Sequence, residues 1–479
     1  MELHIGLVGR HDLIGQIYRQ VRAAVLDGRL RPGDPVPPTR ELAARLGVSR
    51  NTVSGAYDRL TAEGFVRART GAGTFVAPGI AAASSPTVPS PLRPLPVWEA
   101  LPEPPDLMNT RYAFDFRPGH PDVRLFPFES WRRLLTRELR ASRSGTAIYG
   151  DPAGHSGLRE QITRHIGLSR AVRTEPADVT VTTGAQQAFD LIARVLLPPG
   201  RTVAVEDPGY PPARHTFAAH GARVVRIPVD GEGLVIDALP PDTALVYVTP
   251  SHQFPLGMPM SLARKLALLA WAEEHDAVIV EDDYDSEFCF GGTPTEPLRS
   301  LDTHGRVLYV GTFSKVMFPT LRLGFLVAPP SLRRAFRTAK YVTDWNTSWP
   351  QQAALAAFVE EGLLAAHIRR MRHSYRARHA RIGAALARDF ADLLDPVPSA
   401  AGLHLSALLP PGTDDRAVAR RAADRGVGVL DLSGFGGGGR DGGRGGRSGL
   451  VLGYGAIPLE AVEGGLRELA LAIRDGSGS

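Results

Sequence analysis

Five stretches constrain this chain more than any other feature: VTVTTGAQQAFDLIARVLL, VAVEDPGY, ALVYVTPSHQ, AVIVEDDYD and VLYVGTFSK. Each is a short apolar run that stops abruptly at polar or small residues, and helical stretches separate them. Strands apolar at nearly every position are buried on both faces. A chain that alternates such strands with helices builds a mostly parallel α/β sheet. Sheets of that kind bind ligands beyond the carboxyl ends of their strands, and the chemically distinctive residues of this chain stand at those ends.

Lys315, in GTFSK, is one of only three lysines among 55 Lys+Arg, the others being Lys265 and Lys340. A lysine amine can lose its proton and attack a carbonyl, whereas a guanidinium stays protonated. A surface lysine kept without function is the alternative, and the neighbouring strand ends weigh against it. Thr183-Gly184-Ala185-Gln186 opens a helix, and a helix N-terminus with small residues suits a phosphate. Asp282 can hold a heterocyclic nitrogen protonated, and the Tyr284 phenol can bond a ring oxygen. Tyr210 offers a face for stacking, and Arg322, seven residues past the lysine, can take phosphate bidentately. Singly, each has a plain structural reading as a loop carboxylate, a packed ring or an ion pair. Together they describe pyridoxal 5′-phosphate (PLP), whose aldehyde the lysine would engage.

The amino-terminal part differs in charge. Residues 1–79 carry 11 Arg against 7 Asp+Glu, a net of +4, which leaves about +1 of the total +5 for the rest. A basic head on a nearly neutral body points to an anionic partner. LIGQIYRQVRAAVL (13–26) has helical periodicity, and RPGDPVPP then breaks it. A second helix is expected over RELAARL with Thr39 as N-cap, then a tight turn at Gly47. A third helix, capped by Ser49, follows over RNTVSGAYDRLTAEG. Its first residues, Arg50, Asn51 and Thr52, would face a DNA major groove. FVRARTGAGTFVA reads as a hairpin, or wing, around Gly71 and Gly73. A small helical domain that binds protein is the alternative.

Nine prolines between 78 and 105 mark a stretch that cannot build a core. At about 3.1 Å per residue such a spacer reaches roughly 80 Å. The organisation expected is therefore a winged helix-turn-helix at 1–78, a Pro-rich linker at 79–111 and an α/β body at 112–479. Within the body, GFGGGGRDGGRGGRSG (434–449) is expected to be a mobile loop. One cysteine, Cys289, excludes an internal disulfide and fits a reducing cytoplasm. No apolar run reaches the roughly 18 residues of a bilayer span.

Two resemblances sharpen these expectations. PPTRELAARLGVSRNTVSGAYDRLTAEGFVRARTGAGTFV resembles the winged helix of the GntR family of bacterial regulators, over nearly all of 12–77. That likeness implies that Arg40, Arg50, Asn51, Thr52, Arg69, Gly71 and Gly73 approach operator DNA. Ser54 stands where several relatives carry another arginine, so readout there should differ. The body, over roughly 112–470, resembles a fold-type I aminotransferase. TTGAQQA, EDPGYP, TPSHQFPLG, EDDYDSEF and the lysine region are worded as in the MocR-like (GabR/PdxR-type) branch, and YGDPAGHSGLR also fits. The resemblance implies that Lys315 is the Schiff-base lysine, Asp282 the pyridinium partner and Tyr284 the partner of the ring hydroxyl. Gly184, Ala185, Gln186, Thr312, Ser314 and Arg322 become the phosphate cup, while His252 and Gln253 line the ring edge. Tyr149 would reach the phosphate of a neighbouring subunit, which implies a homodimer.

Three functions then compete: a PLP-sensing transcription factor in the bacterial cytoplasm, bound to the nucleoid; a working aminotransferase with a DNA-binding head; and a DNA-binding scaffold that ignores PLP. Vitamin B6 or amino-compound metabolism would be the regulated process in the first. Aminotransferases usually clamp a substrate carboxylate with an arginine in a late strand. Here that strand reads GLVLGYG and aligns Val451 with the arginine. Only Arg447 or the arginines of the glycine-rich loop stand near enough in sequence to replace it, which favours a sensor over a catalyst.

Overall fold

The computed structural model describes residues 5–69, 71–78, 92–103, 110–140, 149–291, 295–399, 401–436 and 447–475. The chain forms two compact units, Met1–Pro94 and Leu95–Ser479. In the first, α1 (Leu13–Leu26) turns Ile17, Tyr18, Val21, Ala24 and Val25 into a small core. The next elements are β1 (Pro35–Val36), α2 (Thr39–Leu46) and α3 (Arg50–Ala62). β2 (Val66–Arg69) and β3 (Gly73–Val76) close a three-stranded sheet with β1. Gly47 ends α2 in the left-handed region at φ 64°, and the Ser49 side chain caps α3 by accepting from Thr52 N. Thr39 is not the cap expected of it. α2 already includes Thr39, and its N-cap is Pro38, whose carbonyl accepts from Leu42 N without side-chain help. Proline holds the extended entry by its fixed φ.

The expected linker is not featureless. Residues 79–91 and 104–109 lie outside the described ones, but Pro96–Ala100 form a short helix, α4, with proline at its first turn. β4 (Phe114–Asp115), α5 (Phe128–Glu138) and α6 (Ser156–Arg170) lead into the large sheet. There follow β5 (Val179–Thr182), α7 (Ala185–Leu196), β6 (Thr202–Asp207), α8 (Pro211–Ala219), β7 (Arg223–Asp230) and β8 (Gly233–Leu234). Next come β9 (Thr243–Val248), α9 (Leu262–Glu274), β10 (Val278–Asp283), α10 (Leu298–Leu301), β11 (Val307–Thr312) and β12 (Gly324–Val327).

The eight strands lie in the order β5-β12-β11-β10-β9-β6-β7-β8. β11, β10, β9, β6 and β7 are mutually parallel; β12 is reversed between β11 and β5, so β5 runs with the parallel set. Side chains alternate between two cores. Along β10, Val280 joins Phe189 of α7 and Phe217 of α8, while Ile279 joins Leu268 and Ala272 of α9. Burial on both faces is the physical reason the runs are apolar at successive positions.

α11 (Arg333–Asp344), α12 (Trp349–Glu360) and the long α13 (Leu363–Asp389) connect to a smaller lobe. It comprises β13 (Asp395–Pro396), β14 (His404–Leu408), α14 (Asp415–Asp424), β15 (Val427–Gly428), β16 (Leu430–Asp431), β17 (Gly449–Gly453) and α15 (Val462–Arg474). β13-β14-β17-β16 form an antiparallel sheet, and β15 pairs with β4. The glycine-rich stretch is structured at both ends: Leu432–Phe435 form a 3-10 turn and Gly449 begins β17. Its residues 437–446, Arg444 among them, lie outside the described ones. Among the described residues no helix is long and apolar enough to cross a membrane.

Candidate functional site

Lys315 sits three residues beyond β11, in a turn pinned on both sides. Phe313 N donates to Leu323 O and Met317 N to Phe313 O, and Phe313, Val316 and Met317 are buried in the main core. The lysine side chain enters a cavity of about 180 Å³ and its Nζ donates to Gly119 O at 2.9 Å. Burial draws the amine below its ordinary pKa of 10.5. Asp285 and Asp282 oppose this, and Arg322 adds to it. An amine so placed is easier to deprotonate, as a nucleophile requires. The other two lysines are buried elsewhere. Lys265 Nζ donates to Glu296 O, while Lys340 bonds Asp344 and Thr347.

β10 sorts its three acidic residues by alternation. Glu281 accepts from the backbone N–H groups of Leu298 and Arg299, and Asp283 pairs with Arg170 at 2.8 Å. Asp282 alone reaches the cavity wall. Its Oδ2 accepts from Tyr247 OH at 2.7 Å, but its buried Oδ1 has no partner among the described residues. Burial pushes this carboxyl up to about 7. An orphaned buried carboxylate oxygen calls for a donor, and a protonated ring nitrogen supplies one together with the compensating charge.

Tyr284 OH lies 2.9 Å from His252 O, and burial holds its phenol protonated. Tyr210, at the N-cap of α8, packs edge-to-face on Phe254 with ring centroids 5.5 Å apart. Burial raises the Tyr210 phenol to about 12. A further part of the cavity wall suits an anion. Gly184 (φ 93°) starts α7, so Ala185 and Gln186 form its open first turn on the wall. Arg322, left-handed at φ 53°, donates from Nη2 to Thr183 O at 2.7 Å, and the Thr312 and Ser314 hydroxyls lie 3.1 Å apart. A Cβ on Gly184 would stand 2.9 Å from Arg322 Nη2. That position therefore needs glycine both for its φ and for the approach of the guanidinium.

Nine of the residues expected at the cofactor thus share one wall: Lys315, Asp282, Tyr284, Tyr210, Ala185, Gln186, Thr312, Ser314 and Arg322. His252 and Gln253 do not; both lie buried behind it. The Gln253 amide is consumed by backbone groups, donating to Pro208 O after β6 and to Phe254 O of its own loop and accepting from Leu256 N. The His252 ring is held between Asp285 and Ser399. Tyr149 is 75% exposed and stacks on Trp345 at 4.3 Å, away from this chain's own cavity. Gly119, Tyr247, Phe254, Asp285 and His404 on the wall were not foreseen. Asp285 belonged to the quoted EDDYD and Tyr247 to ALVYV, but a tyrosine inside an apolar strand reads as core. Val451 is fully buried in an apolar cluster with Leu256, Met258 and Leu432, and Arg447 is exposed and does not line the cavity.

In the first unit, Arg50 and Asn51 are exposed at the start of α3, as is Arg40 on α2. Thr52 is partly spent on the cap, its hydroxyl 2.8 Å from Ser49 Oγ. In the wing, Gly71 and Gly73 take φ 74° and 110°, and the Arg69 guanidinium lies over the Phe75 ring at 4.8 Å.

Residues 13–76 match the gntR family of bacterial regulatory proteins, and residues 119–444 match aminotransferase class I and II. The chain is 39% identical to the probable rhizopine catabolism regulatory protein MocR of Rhizobium meliloti, over 87% of this chain and 86% of that one. This chain belongs to the MocR-type regulators of the gntR family. Another relative of this MocR-type protein is the pyridoxine biosynthesis regulator PdxR of Corynebacterium glutamicum, 33% identical over 96% and 95% of the two chains. Among solved structures, the kynurenine aminotransferase of Pyrococcus horikoshii superposes with a TM-score of 0.71 at 29% identity, covering 81% of this chain and 96% of that one. LysN from Thermus thermophilus, complexed with N-(5′-phosphopyridoxyl)-L-leucine, gives 0.69 at 30% identity, over 76% and 92%.

Proposed function

We propose that this MocR-type regulator binds pyridoxal 5′-phosphate in the cavity at Lys315 and that occupancy there alters its hold on operator DNA. The observation that carries this reading is the orphaned Asp282 Oδ1 sharing a wall with Lys315, in a chain whose other unit is a gntR-family DNA-binding domain. The cofactor supplies an aldehyde to the lysine, a ring nitrogen to Asp282 and a phosphate to the α7 end. Tyr210 would offer its face to the ring, Tyr284 would hold the ring hydroxyl, and Gly184, Thr312, Ser314 and Arg322 would support the phosphate. Val451 in place of a carboxylate-binding arginine disfavours steady transamination. The regulated process is vitamin B6 or amino-compound metabolism, in keeping with the names PdxR and MocR carry. An amino compound entering the loaded cavity is the second candidate signal.

A homodimer completes the account. Tyr149, Tyr341, Val342 and Trp345 are all exposed large side chains, and Trp345 touches both tyrosines. An exposed aromatic cluster of this kind suits a second copy of the chain, and Tyr149 would then serve the neighbour's phosphate.

Arg50→Ala should weaken operator binding by about 1–3 kcal/mol, with a much smaller loss on random DNA, because a base-edge contact is selective. Arg69→Ala should weaken both alike, as a phosphate contact does. Competition binding with operator and random duplexes separates the two. Equal losses on both duplexes for Arg50→Ala would move that arginine to the phosphate class.

A further inference from the structure

The body holds a second cavity, of about 460 Å³, lined largely by small residues such as Gly257, Pro259, Gly291 and Ala401, and Ser399 opens onto it. A chain of three side chains joins the two cavities. Asp285, on the Lys315 wall, accepts from His252 Nδ1 at 3.0 Å, and His252 Nε2 lies 3.2 Å from Ser399 Oγ. Asp285 and His252 are each only 1% exposed. A carboxylate can only accept, so Nδ1 carries the ring hydrogen and Nε2 is left to accept from the serine hydroxyl. Tyr284 OH, 3.0 Å from the same Nδ1, has His252 O as its own acceptor at 2.9 Å. The other acceptor near Ser399 Oγ, Ala401 O, is farther away at 3.4 Å. His379 Nε2 donates to Ser399 O at 2.9 Å and pins the serine backbone.

Two glycines make room for this arrangement. Gly402, left-handed at φ 80°, passes so close that a Cβ there would collide with the His252 ring and Asp285 Oδ2. A Cβ on Gly257 would stand 3.1 Å from Ser399 Oγ and 3.2 Å from His252 Nε2. Glycine keeps that point free of protein, on the cavity wall and within reach of both hydroxyl and ring nitrogen. A reacting carbon needs such a position. Arg170 is the one cation among the described residues of that wall. Three of its five N–H groups go to Asp283, Thr295 O and Ser251 Oγ, so two remain for a developing oxyanion.

We infer that Ser399, with His252 as its base and Asp285 orienting the imidazole, hydrolyses small neutral carboxylic esters in the second cavity. The small lining residues favour a short acyl group, and Arg170, already paired with Asp283, offers no net charge to an anionic one. Ser399 Oγ bonds to the carbonyl carbon while its proton passes to His252 Nε2. The ester C–O bond then breaks, and the alcohol leaves with that proton. Water attacks the acyl carbon, gives a proton through His252 back to Ser399 Oγ, and releases the acid. Neither Lys315 nor pyridoxal phosphate takes part, so this inference stands or falls apart from the reading above.

The test uses the full-length protein with p-nitrophenyl acetate as substrate and diisopropyl fluorophosphate as the covalent probe. Wild type should release p-nitrophenol with an initial burst of about one per chain, as an acylated serine gives. The phosphoryl label should map to Ser399, and Ser399→Ala should lose label and burst and turn over about 100-fold or more slowly. Asp285→Asn can donate from its amide to Nδ1 and trap the other tautomer, which leaves Nε2 unable to take the serine proton. Its rate at saturating ester should therefore fall about 100-fold or more, with the half-saturating concentration unchanged. A change in the half-saturating concentration alone contradicts the orienting role of Asp285. A label on Lys315 or on any residue other than Ser399, no label at all, or undiminished hydrolysis by Ser399→Ala overturns the inference. The wild-type label decides the matter even where a variant fails to fold.

Discussion

Lys315→Ala is expected to abolish the covalent, borohydride-fixable attachment of pyridoxal phosphate that the wild type makes. The amine is the one lysine on the cavity wall, held 2.9 Å from Gly119 O and drawn below its ordinary pKa by burial. Lys265 and Lys340 have their donors engaged by Glu296, and by Asp344 and Thr347, in other parts of the body. Alanine leaves Asp282, the α7 N-terminus and Arg322 in place, so residual, weaker binding through ring nitrogen and phosphate should persist. The loss of covalent attachment should be complete. Borohydride reduction of the wild type, followed by peptide mapping, should place the label on Lys315. A label at Lys265 or Lys340 contradicts the assignment.

Asp282→Asn should produce two opposite effects. The amide oxygen can still accept from Tyr247, but the charge that a protonated ring nitrogen needs is gone. Loss of a charge-assisted bond costs about 1.5–3 kcal/mol, or roughly 10- to 150-fold in PLP affinity. The cofactor-free protein should meanwhile become more stable at neutral pH. Burial raises Asp282 from 3.8 to about 7, so between those values the folded state holds a proton that the unfolded chain has released. Stability therefore falls as pH rises across that window. Glu206 and Glu281, raised from 4.5 to about 7, act in the same direction and remain in the variant. Thermal midpoints taken from about pH 5 to about pH 8 should fall less steeply in Asp282→Asn than in the wild type. Identical slopes would mean that Asp282 is ionised in the empty cavity.

The parallel sheet and its strand ends were legible because burial on both faces leaves a strong signal, and because strand ends collect functional residues. β10 shows how far this goes. EDDYD announced a charged strand end, and the period of two singles out Asp282 from Glu281 and Asp283 only once one knows which face holds the cavity. His252 and Gln253 misled for a related reason. They sit in the right loop, but the loop turns both side chains inward, His252 to Asp285 and Ser399 and Gln253 to Pro208 O and its own backbone, and puts Phe254 on the wall. Gly119 and His404 were invisible because they come from distant segments, which only the closing of the small lobe's β14 and the residues after β4 brings to the lysine. Thr39 failed as a cap by one residue, since the preceding proline already fixed the entry to α2.

The central claim is that cofactor occupancy at Lys315 governs DNA binding. Its most direct test is the dissociation constant of the full-length protein for the DNA upstream of its own gene, measured with and without saturating pyridoxal phosphate, in wild type and Lys315→Ala. The account predicts a change of about 10-fold or more in the wild type, equivalent to about 1.4 kcal/mol of coupling, and little or none in the variant. Equal affinity of the wild type with and without the cofactor, under conditions where the protein is visibly yellow, would contradict it.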